Sequence, residues 1–148
     1  MNKKFIMLAE DNPDDEALTM RALNKNSIIN EVIVVRDGQE ALDFLYATGE
    51  YADRDTSILP EMLLLDLKMP KIDGLGVLRR IREDKRTKHL PVIMLTSSDE
   101  ESDLIASYNL GVNSYVRKPV DFNQFIEAVN QLSLYWLVLN KVPPKKQV

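Results

Sequence analysis

The sequence predicts an α/β fold, an open parallel sheet with helices on both of its faces. Short apolar runs of strand length alternate with segments of helical periodicity along the 148 residues, and this alternation is the pattern of βαβ units. Hydrophobic residues make up 45% of the chain and charged residues 28%, which is typical of a globular protein. A chain of this length suits one domain with a sizeable core.

The first two strands and the first helix are predicted from the start of the chain. The apolar run Phe5–Ala9 predicts the first strand. Asn12 and Pro13 then predict a helix over residues 13–26, because asparagine caps helices and proline suits their first turn. A run of β-branched residues at 32–35 predicts the second strand.

The middle of the chain predicts two more helices and two more strands. Asp37 caps a helix with apolar residues at three- and four-residue spacing, and residues 48–61, which hold glycine, proline and mixed charges, predict a long loop. Met62–Leu65 is the third predicted strand and residues 92–95 are the fourth. Gly74 marks the turn between them, and the helix that follows buries one stripe: Leu75, Leu78 and Ile81.

The end of the chain predicts a fourth helix, a fifth strand and a last helix. Ser98 or Asp99 can cap the fourth helix, which Gly111 ends. The fifth strand, Ser114–Arg117, is the least hydrophobic. The last helix starts at Asp121 and carries one apolar stripe: Phe122, Phe125, Ile126, Val129 and Leu132.

Composition narrows the classes of function. The net charge of −4 disfavours a nucleic-acid-binding surface, and the lack of cysteine excludes disulfides and thiolate metal sites. The first apolar run is too short for a signal peptide, and no run is long enough to span a bilayer. We expect a cytoplasmic protein with neither membrane nor nucleic-acid partners. Residues 1–141 should form a single domain and residues 142–148 a disordered tail, with no room for a DNA-binding module.

Polar residues follow four of the predicted strands, at the point where each strand ends: Glu10, Asp11, Asp66, Thr96 and Lys118. The carboxyl ends of the strands form the ligand crevice of an open parallel sheet, so folding should gather these side chains at one edge. Crowded carboxylates repel one another unless a cation offsets them, and Mg²⁺ suits oxygen ligands. The lysine is then available to hold an anion. This constellation predicts a phosphoryl-transfer site.

Four motifs occur in order at these strand ends. They are LAEDNP at residues 8–13, LLLDLKMPKIDG at 63–74, LTS at 95–97 and VRKP at 116–119. Together they resemble the receiver domain of two-component response regulators, and the likeness covers residues 4–132. Within that family the chain is similar to the single-domain regulators that are paired with cyanobacterial and bacterial phytochromes. The resemblance implies a (βα)5 flavodoxin-like, doubly wound parallel sheet with the strand order 2-1-3-4-5.

The resemblance implies a role for each residue of the acidic pocket. Asp66 is the expected phosphoacceptor, and Asp11 and Asp66 are expected to ligate Mg²⁺ together with the backbone carbonyl of Lys68. Glu10 is expected to act on the ion through a water molecule. The phosphoryl donor is expected to be a histidine of a partner sensor kinase, since the single histidine of this chain is His89.

The resemblance also implies which residues contact and sense the phosphoryl group. Lys118 is expected to contact it and Thr96 to hydrogen-bond one of its oxygens, while Tyr115 is the expected aromatic switch. A cis bond between Lys118 and Pro119 is expected to turn the lysine toward the pocket. The chain is then a phosphoacceptor that promotes its own Mg²⁺-dependent phosphorylation and dephosphorylation and signals through protein contacts, rather than an enzyme.

Two other functions compete with this interpretation. A phosphohydrolase that uses an aspartyl-phosphate intermediate typically needs a second acidic residue two positions after its nucleophile, but here that position holds Lys68, and no inserted cap domain is visible. A constitutive scaffold that ignores phosphate does not need the complete set of site residues. Mg²⁺-dependent labelling by a small acyl phosphate, without turnover of phosphate monoesters, separates the three functions.

The end of the last helix is apolar in every helical direction, because only Ser133 is polar between residues 132 and 139. A helix on one side of a sheet cannot bury all of these side chains, and exposed apolar patches usually mark an interface. We expect a two-fold homodimer through this surface, around Leu134, Tyr135, Leu137 and Val138. The alternative is that the helix end folds back over its own domain.

Overall fold

The computed structural model describes residues 5–24 and 31–118. Strands and helices alternate within them: β1 Phe5–Ala9, α1 Pro13–Asn24, β2 Glu31–Val35, α2 Gly38–Tyr46, β3 Met62–Leu65, α3 Gly74–Glu83, β4 Val92–Thr96, α4 Glu101–Asn109 and β5 Ser114–Arg117. One turn of 3-10 helix, Gly49–Tyr51, lies within the predicted loop between α2 and β3. The bounds of these elements are close to those predicted from the sequence.

The strands form one parallel sheet in the order β2-β1-β3-β4-β5. This order confirms the predicted α/β fold and its topology. The three central strands are buried along their whole length, as expected for a parallel sheet that is covered on both faces. The edge strand β5 is only partly buried, which agrees with its low hydrophobicity.

Side chains of the central strands alternate between two hydrophobic layers, because a strand has a two-residue period. One layer joins the sheet to α2 and α3, and its buried members include Met7, Leu63, Met94, Leu45 and Ile81. The other layer joins the sheet to α1, and its buried members include Ile6, Leu8, Leu64, Ile93 and Leu23. Burial of apolar surface in both layers is the dominant force that holds the sheet in this arrangement.

Side-chain caps explain where two of the helices begin. The Asp37 carboxylate accepts a hydrogen bond from the Glu40 amide at 2.7 Å and so begins α2, as predicted. Asp73 begins α3 in the same way, because its carboxylate accepts from the Gly76 amide at 2.9 Å. Each carboxylate satisfies an amide that has no partner within the helix.

The start of α4 differs from the sequence prediction. Neither Ser98 nor Asp99 caps this helix, because it begins at Glu101 and the residue before it, Glu100, makes no side-chain cap hydrogen bond. The Ser98 hydroxyl instead donates to the Asp103 carboxylate at 2.6 Å and accepts from the Glu100 amide at 3.3 Å. Several polar residues stand in a row here, and each can serve as a cap, so the sequence alone does not select one of them.

The long loop between α2 and β3 is held by the guanidinium group of Arg54. This group donates to the backbone carbonyls of Phe44 and Ile58 and lies 3.7 Å from the centre of the Phe44 ring. The Tyr51 hydroxyl donates to the Glu40 carboxylate at 2.6 Å. These bonds pair polar groups that a loop would otherwise leave unsatisfied, so the predicted loop packs against the domain.

Some sequence predictions concern residues outside those that the structure describes. They are the bond between Lys118 and Pro119, the last helix from Asp121, the dimer surface at its apolar end, and the tail over residues 142–148. The end of the first helix beyond Asn24 lies outside them as well. Among the described residues, no helix has the length and apolar character that crossing a membrane requires.

Gly74 begins α3 in close contact with the backbone that follows β3. A Cβ atom at this position would lie 2.3 Å from the carbonyl oxygen of Asp66 and 2.8 Å from Cα of Leu67. The Gly74 amide also donates to the Leu67 carbonyl at 2.8 Å. Glycine is therefore required here by the close approach of two backbone segments.

We predict that Gly74→Ala lowers the free energy of unfolding by about 1–3 kcal/mol, because a clash with backbone is not relieved by rotating a side chain. Gly76→Ala is the matched control on the same helix. Its new Cβ meets the Cγ2 methyl group of Ile72 at 2.8 Å, which is a side-chain and not a backbone contact, and alanine gains about 1 kcal/mol of helix propensity, so the loss of stability should be smaller than for Gly74→Ala. Urea denaturation measures both variants. Unchanged stability of Gly74→Ala would contradict the close approach.

Candidate functional site

Backbone hydrogen bonds place three functional residues just beyond the ends of their strands. The Glu10 amide donates to the last carbonyl of β2 at 3.0 Å, and the Asp66 amide donates to the last carbonyl of β1 at 3.0 Å. The Lys118 amide donates to the last carbonyl of β4 at 2.7 Å. These bonds extend the pairing of the strands, so the three side chains are anchored at the same edge of the sheet.

Lys118 lies at the centre of an ionic cluster. Its Nζ atom is 2.8 Å from Glu10 Oε1, 2.9 Å from Asp15 Oδ2 and 3.4 Å from Asp66 Oδ2. Only 7% of the lysine side chain is exposed, and the corresponding values are 2% for Glu10, 34% for Asp15 and 9% for Asp66. One oxygen from each of the three carboxylates lies within 4.8 Å of the others. Three acidic groups therefore share one cation in a site with little solvent.

This crowding changes the charge balance of the pocket. Burial raises the pKa of Glu10 to about 8, with the neighbouring Asp66 acting in the same direction and Lys118 against both. Burial by itself lowers the pKa of Lys118, but the hydrogen bonds to Glu10 and Asp15 and the charge of Asp66 outweigh it and raise that pKa. The pocket thus holds a charged lysine and a carboxyl group whose ionised form a further cation would stabilise.

Asp15 is a member of this cluster that the sequence analysis did not predict. It lies in the first turn of α1, where an acidic residue ordinarily interacts with the helix dipole and carries no other signal. The Asn12 side chain accepts from the amides of Asp14 and Asp15 at 2.9 and 3.1 Å, while the Asn12 amide donates to Glu10 at 3.2 Å. The sequence offers one indication of this position for Asp15. The helix begins directly after the end of a strand, which places its first turn over the pocket.

Two residues that were predicted to hold the metal lie at the margin of the cluster. Asp11 is exposed, and its carboxylate is not among the three that meet in the described part of the chain. The side chain of Lys68 is exposed as well, but its amide donates to Asp66 Oδ1 at 3.4 Å. The backbone of Lys68 therefore lies beside the pocket, while the roles of Asp11 and of the Lys68 carbonyl stay predictions.

Thr96 and Tyr115, the two predicted switch residues, are connected through Ser98. Thr96 is fully buried at the end of β4, and its hydroxyl accepts a hydrogen bond from the Ser98 amide at 3.2 Å. The hydroxyl of the half-buried Tyr115 donates to the Ser98 carbonyl at 3.3 Å. Because the Ser98 side chain also donates to Asp103 of α4, one residue links β4, β5 and α4.

The donor set of the cluster suits a hard divalent cation. Glu10, Asp15 and Asp66 offer carboxylate oxygens only, and these are the ligands that Mg²⁺ and Mn²⁺ prefer. The lysine among them can neutralise an anion that approaches the same edge. Carboxylates, a metal-binding donor set and a neutralising lysine are the parts that phosphoryl transfer requires, because this reaction depends on positioning and charge stabilisation.

Comparison with known proteins identifies the family. Residues 6–130 match the family model described as the response regulator receiver domain. Response regulator Rcp1 of Synechocystis sp. is 39% identical to this chain over 140 residues, which are 95% of this chain and 93% of that protein. The crystal structure of the Mn(2+)-bound form of Rcp1 has a TM-score of 0.86 at 38% identity and covers 95% of this chain and 99% of that chain.

Two further solved structures are similar along nearly their whole length. The phosphorylated cyanobacterial phytochrome response regulator RcpA has a TM-score of 0.88 at 38% identity, over 97% of this chain and 100% of that chain. The bacteriophytochrome response regulator AtBRR has a TM-score of 0.75 at 51% identity, over 95% of this chain and 100% of that chain. The chain therefore belongs to the response regulator receiver domain family.

Proposed function

We propose that this receiver domain accepts a phosphoryl group on Asp66 from a histidine of a partner sensor kinase. The observation that carries the proposal is the position of the Asp66 carboxylate, which is buried at the end of β3 and lies 3.4 Å from the Lys118 ammonium group. Burial of a carboxylate is costly unless the charge is paired, and a phosphoacceptor needs such a desolvated carboxylate beside a cation. Membership of the receiver family supports a histidine kinase as the donor.

The transfer requires little covalent machinery from the protein. One oxygen of Asp66 forms a bond to phosphorus while the phosphorus–nitrogen bond to the kinase histidine breaks, and the electron pair of that bond stays on the imidazole nitrogen. Lys118 stabilises the charge on the phosphoryl oxygens in a site with little water, where this interaction is stronger than in bulk solvent. When water later attacks the phosphorus, phosphate leaves and the Asp66 carboxylate is restored. The domain thus promotes its own phosphorylation and dephosphorylation.

We infer that Mg²⁺ is the ion of this site. Glu10 and Asp66 would hold it from the described cluster, Glu10 through a water molecule, and Asp11 and the Lys68 carbonyl are the further predicted ligands. When bound, the ion neutralises charge on the phosphoryl oxygens. The presence of one ammonium group among three carboxylates supports a place for a second cation, because Lys118 alone does not offset all of the carboxylates. The Mn(2+)-bound form of the relative Rcp1 supports a divalent ion.

The hydrogen bonds through Ser98 suggest how the phosphoryl group affects the surface. In the described state the Thr96 hydroxyl is bonded to the Ser98 amide. A phosphoryl oxygen on Asp66 would offer the Thr96 hydroxyl a strong acceptor, and movement of this side chain would displace the loop at Ser98. The same displacement would release the Tyr115 hydroxyl and loosen the contact to α4. Phosphorylation would thus shift an equilibrium between two arrangements rather than create a new fold.

The family and its relatives support the choice of partners in this proposal. RcpA and AtBRR are named as phytochrome and bacteriophytochrome response regulators, so we propose a phytochrome-type histidine kinase as the phosphoryl donor in the cytoplasm. The signal would then pass to a downstream protein through direct contacts. The homodimer through Leu134, Tyr135, Leu137 and Val138 stays a prediction, because these residues lie outside the described part of the chain.

The first prediction tests the phosphoacceptor. Asp66→Asn should abolish labelling by phosphoramidate in the presence of Mg²⁺, because the amide keeps the shape of the side chain but not its nucleophilic charge. The free energy of unfolding should change by no more than about 1 kcal/mol. Intact-mass spectrometry measures the added phosphoryl group. Asp53→Asn, at an exposed loop carboxylate, is the control and should be labelled like the parent chain. Labelling of Asp66→Asn would assign the acceptor to another residue.

The second prediction separates the lysine from the metal site. Lys118→Ala should lower the free energy of unfolding by about 1–3 kcal/mol without metal, because three carboxylates then lose their shared cation. Mg²⁺ should still bind and should stabilise this variant more than the parent chain, while labelling becomes slower. Thermal unfolding with and without Mg²⁺ measures both effects. Lys85→Ala, at an exposed lysine, is the control. Loss of Mg²⁺ binding would instead give Lys118 a structural role in the metal site.

The third prediction concerns the switch. Tyr115→Phe keeps the ring but removes the hydrogen bond to the Ser98 carbonyl, so hydrogen exchange at Ser98 and the following amides should become faster. Addition of beryllofluoride and Mg²⁺ should then change exchange in α4 less than in the parent chain. Tyr108→Phe removes a hydroxyl from a tyrosine of α4 that is 51% exposed and should leave both results unchanged. Identical hydrogen exchange in Tyr115→Phe and the parent chain would show that Tyr115 does not take part in the connection between the phosphoryl site and α4.

A further inference from the structure

The contacts of Lys118 are unequal in a way that the proposed reaction does not explain. Its Nζ atom lies closer to Glu10 and Asp15, at 2.8 and 2.9 Å, than to the proposed phosphoacceptor Asp66, at 3.4 Å. In this state the ammonium group therefore pairs most closely with two carboxylates that do not receive the phosphoryl group. One of them, Asp15, is neither a proposed metal ligand nor a proposed contact of the phosphoryl group.

Asp15 also has a defined position rather than that of a mobile surface acid. It lies in the first turn of α1, and its amide is held by the Asn12 side chain at 3.1 Å. The contact with Lys118 joins residues that are 103 positions apart, so it connects α1 to the residue that follows the edge strand β5. Asp14, its neighbour in the same turn, is exposed and has the same backbone contact to Asn12, at 2.9 Å.

We propose that Asp15 is a positioning residue that holds the Lys118 ammonium group closer to itself and to Glu10 than to Asp66, until a phosphoryl group takes the lysine from it. The inference rests on the proposed function, because it concerns the lysine of that same site. Asp15 thereby sets how readily the domain accepts a phosphoryl group from a donor. It does so without touching the donor itself.

Glu10 and Asp15 differ in burial, and this difference indicates which of them Lys118 leaves when it binds a phosphoryl group. The Glu10 side chain is 2% exposed and that of Asp15 is 34% exposed, so water screens the Asp15 contact and can replace it. Partly solvated ion pairs are weak, whereas a buried pair is costly to break. A phosphoryl group carries more negative charge than a carboxylate and attracts the ammonium more strongly. Lys118 therefore exchanges Asp15 for the phosphoryl oxygens and keeps Glu10.

The central experiment compares Asp15→Asn with Asp14→Asn. Both variants lose one negative charge from the same helical turn, so effects on the helix dipole and on the overall charge are matched. With phosphoramidate at saturating Mg²⁺, Asp15→Asn should be phosphorylated about two- to five-fold faster than Asp14→Asn, the range that a partly exposed ion pair supports. Most of this change should be a lower KM for phosphoramidate, because the lysine released from Asp15 binds the phosphoryl group of the donor.

Two further measurements exclude a different role for Asp15. Although the Asp15 carboxylate lies in the acidic cluster, Asp15 is not among the proposed metal ligands, so the Mg²⁺ affinity of Asp15→Asn should stay within about two-fold of that of Asp14→Asn. A double-mutant cycle between Asp15→Asn and Lys118→Ala, measured by urea denaturation without metal or phosphodonor, should show a favourable coupling between the two side chains. This cycle does not depend on phosphoryl transfer.

These measurements distinguish a positioning role of Asp15 from a role as a metal ligand and from failure of the proposed function. Faster labelling of Asp15→Asn, unchanged Mg²⁺ affinity and a measurable coupling support the proposal. Equal or slower labelling relative to Asp14→Asn overturns it, as does the absence of coupling to Lys118. A loss of Mg²⁺ affinity confined to Asp15→Asn overturns it in favour of a metal ligand. If the parent chain is not labelled at all, the proposed function fails, whereas failure of the Asp15 comparison alone leaves Asp66 as the acceptor.

Discussion

The structure of the site depends on one interaction, the sharing of the Lys118 ammonium group by three carboxylates. Glu10 and Asp66 are almost completely buried beside it, and burial of a carboxylate charge is costly unless a cation pairs with it. Burial, together with the neighbouring Asp66, raises the pKa of Glu10 against the effect of Lys118, and one positive charge does not balance the three carboxyl groups around it. The imbalance makes the pocket receptive to a divalent ion, and the ion and lysine together make it receptive to a phosphoryl group.

The parallel sheet is what brings these groups together. Glu10, Asp66 and Lys118 are separated by long stretches of sequence, yet each follows a strand whose hydrogen bonding continues through its own amide. Apolar layers on both faces hold the strands in place. The core therefore sets the positions of the acidic side chains, rather than the attraction between these carboxylates and Lys118. The close approach of Gly74 to the Asp66 carbonyl adds a second constraint on the proposed phosphoacceptor.

The same edge also connects the pocket to the surface. Ser98 bonds to Thr96 through its amide, to Tyr115 through its carbonyl and to Asp103 through its side chain. In the sequence Ser98 is a candidate helix cap, since small hydroxyl residues commonly cap helices. The folded chain uses it instead as a connection between two strands and α4. Capping depends on local sequence, but this connection depends on β5 lying next to β4.

The sequence by itself determined the α/β class and the presence of Glu10, Asp66, Thr96 and Lys118 at one edge, because strand periodicity and the polar residue after each strand are local features. The strand order followed from the four motifs and their resemblance to receiver domains. The sequence did not determine which acidic side chains would meet Lys118. Asp11 was expected in the pocket and is exposed, whereas Asp15 lies 2.9 Å from the lysine. The Asn12 hydrogen bonds at the start of α1 are local, but the contact between Asp15 and Lys118 joins residues 103 positions apart, so it exists only once β1 and β5 lie in the same sheet.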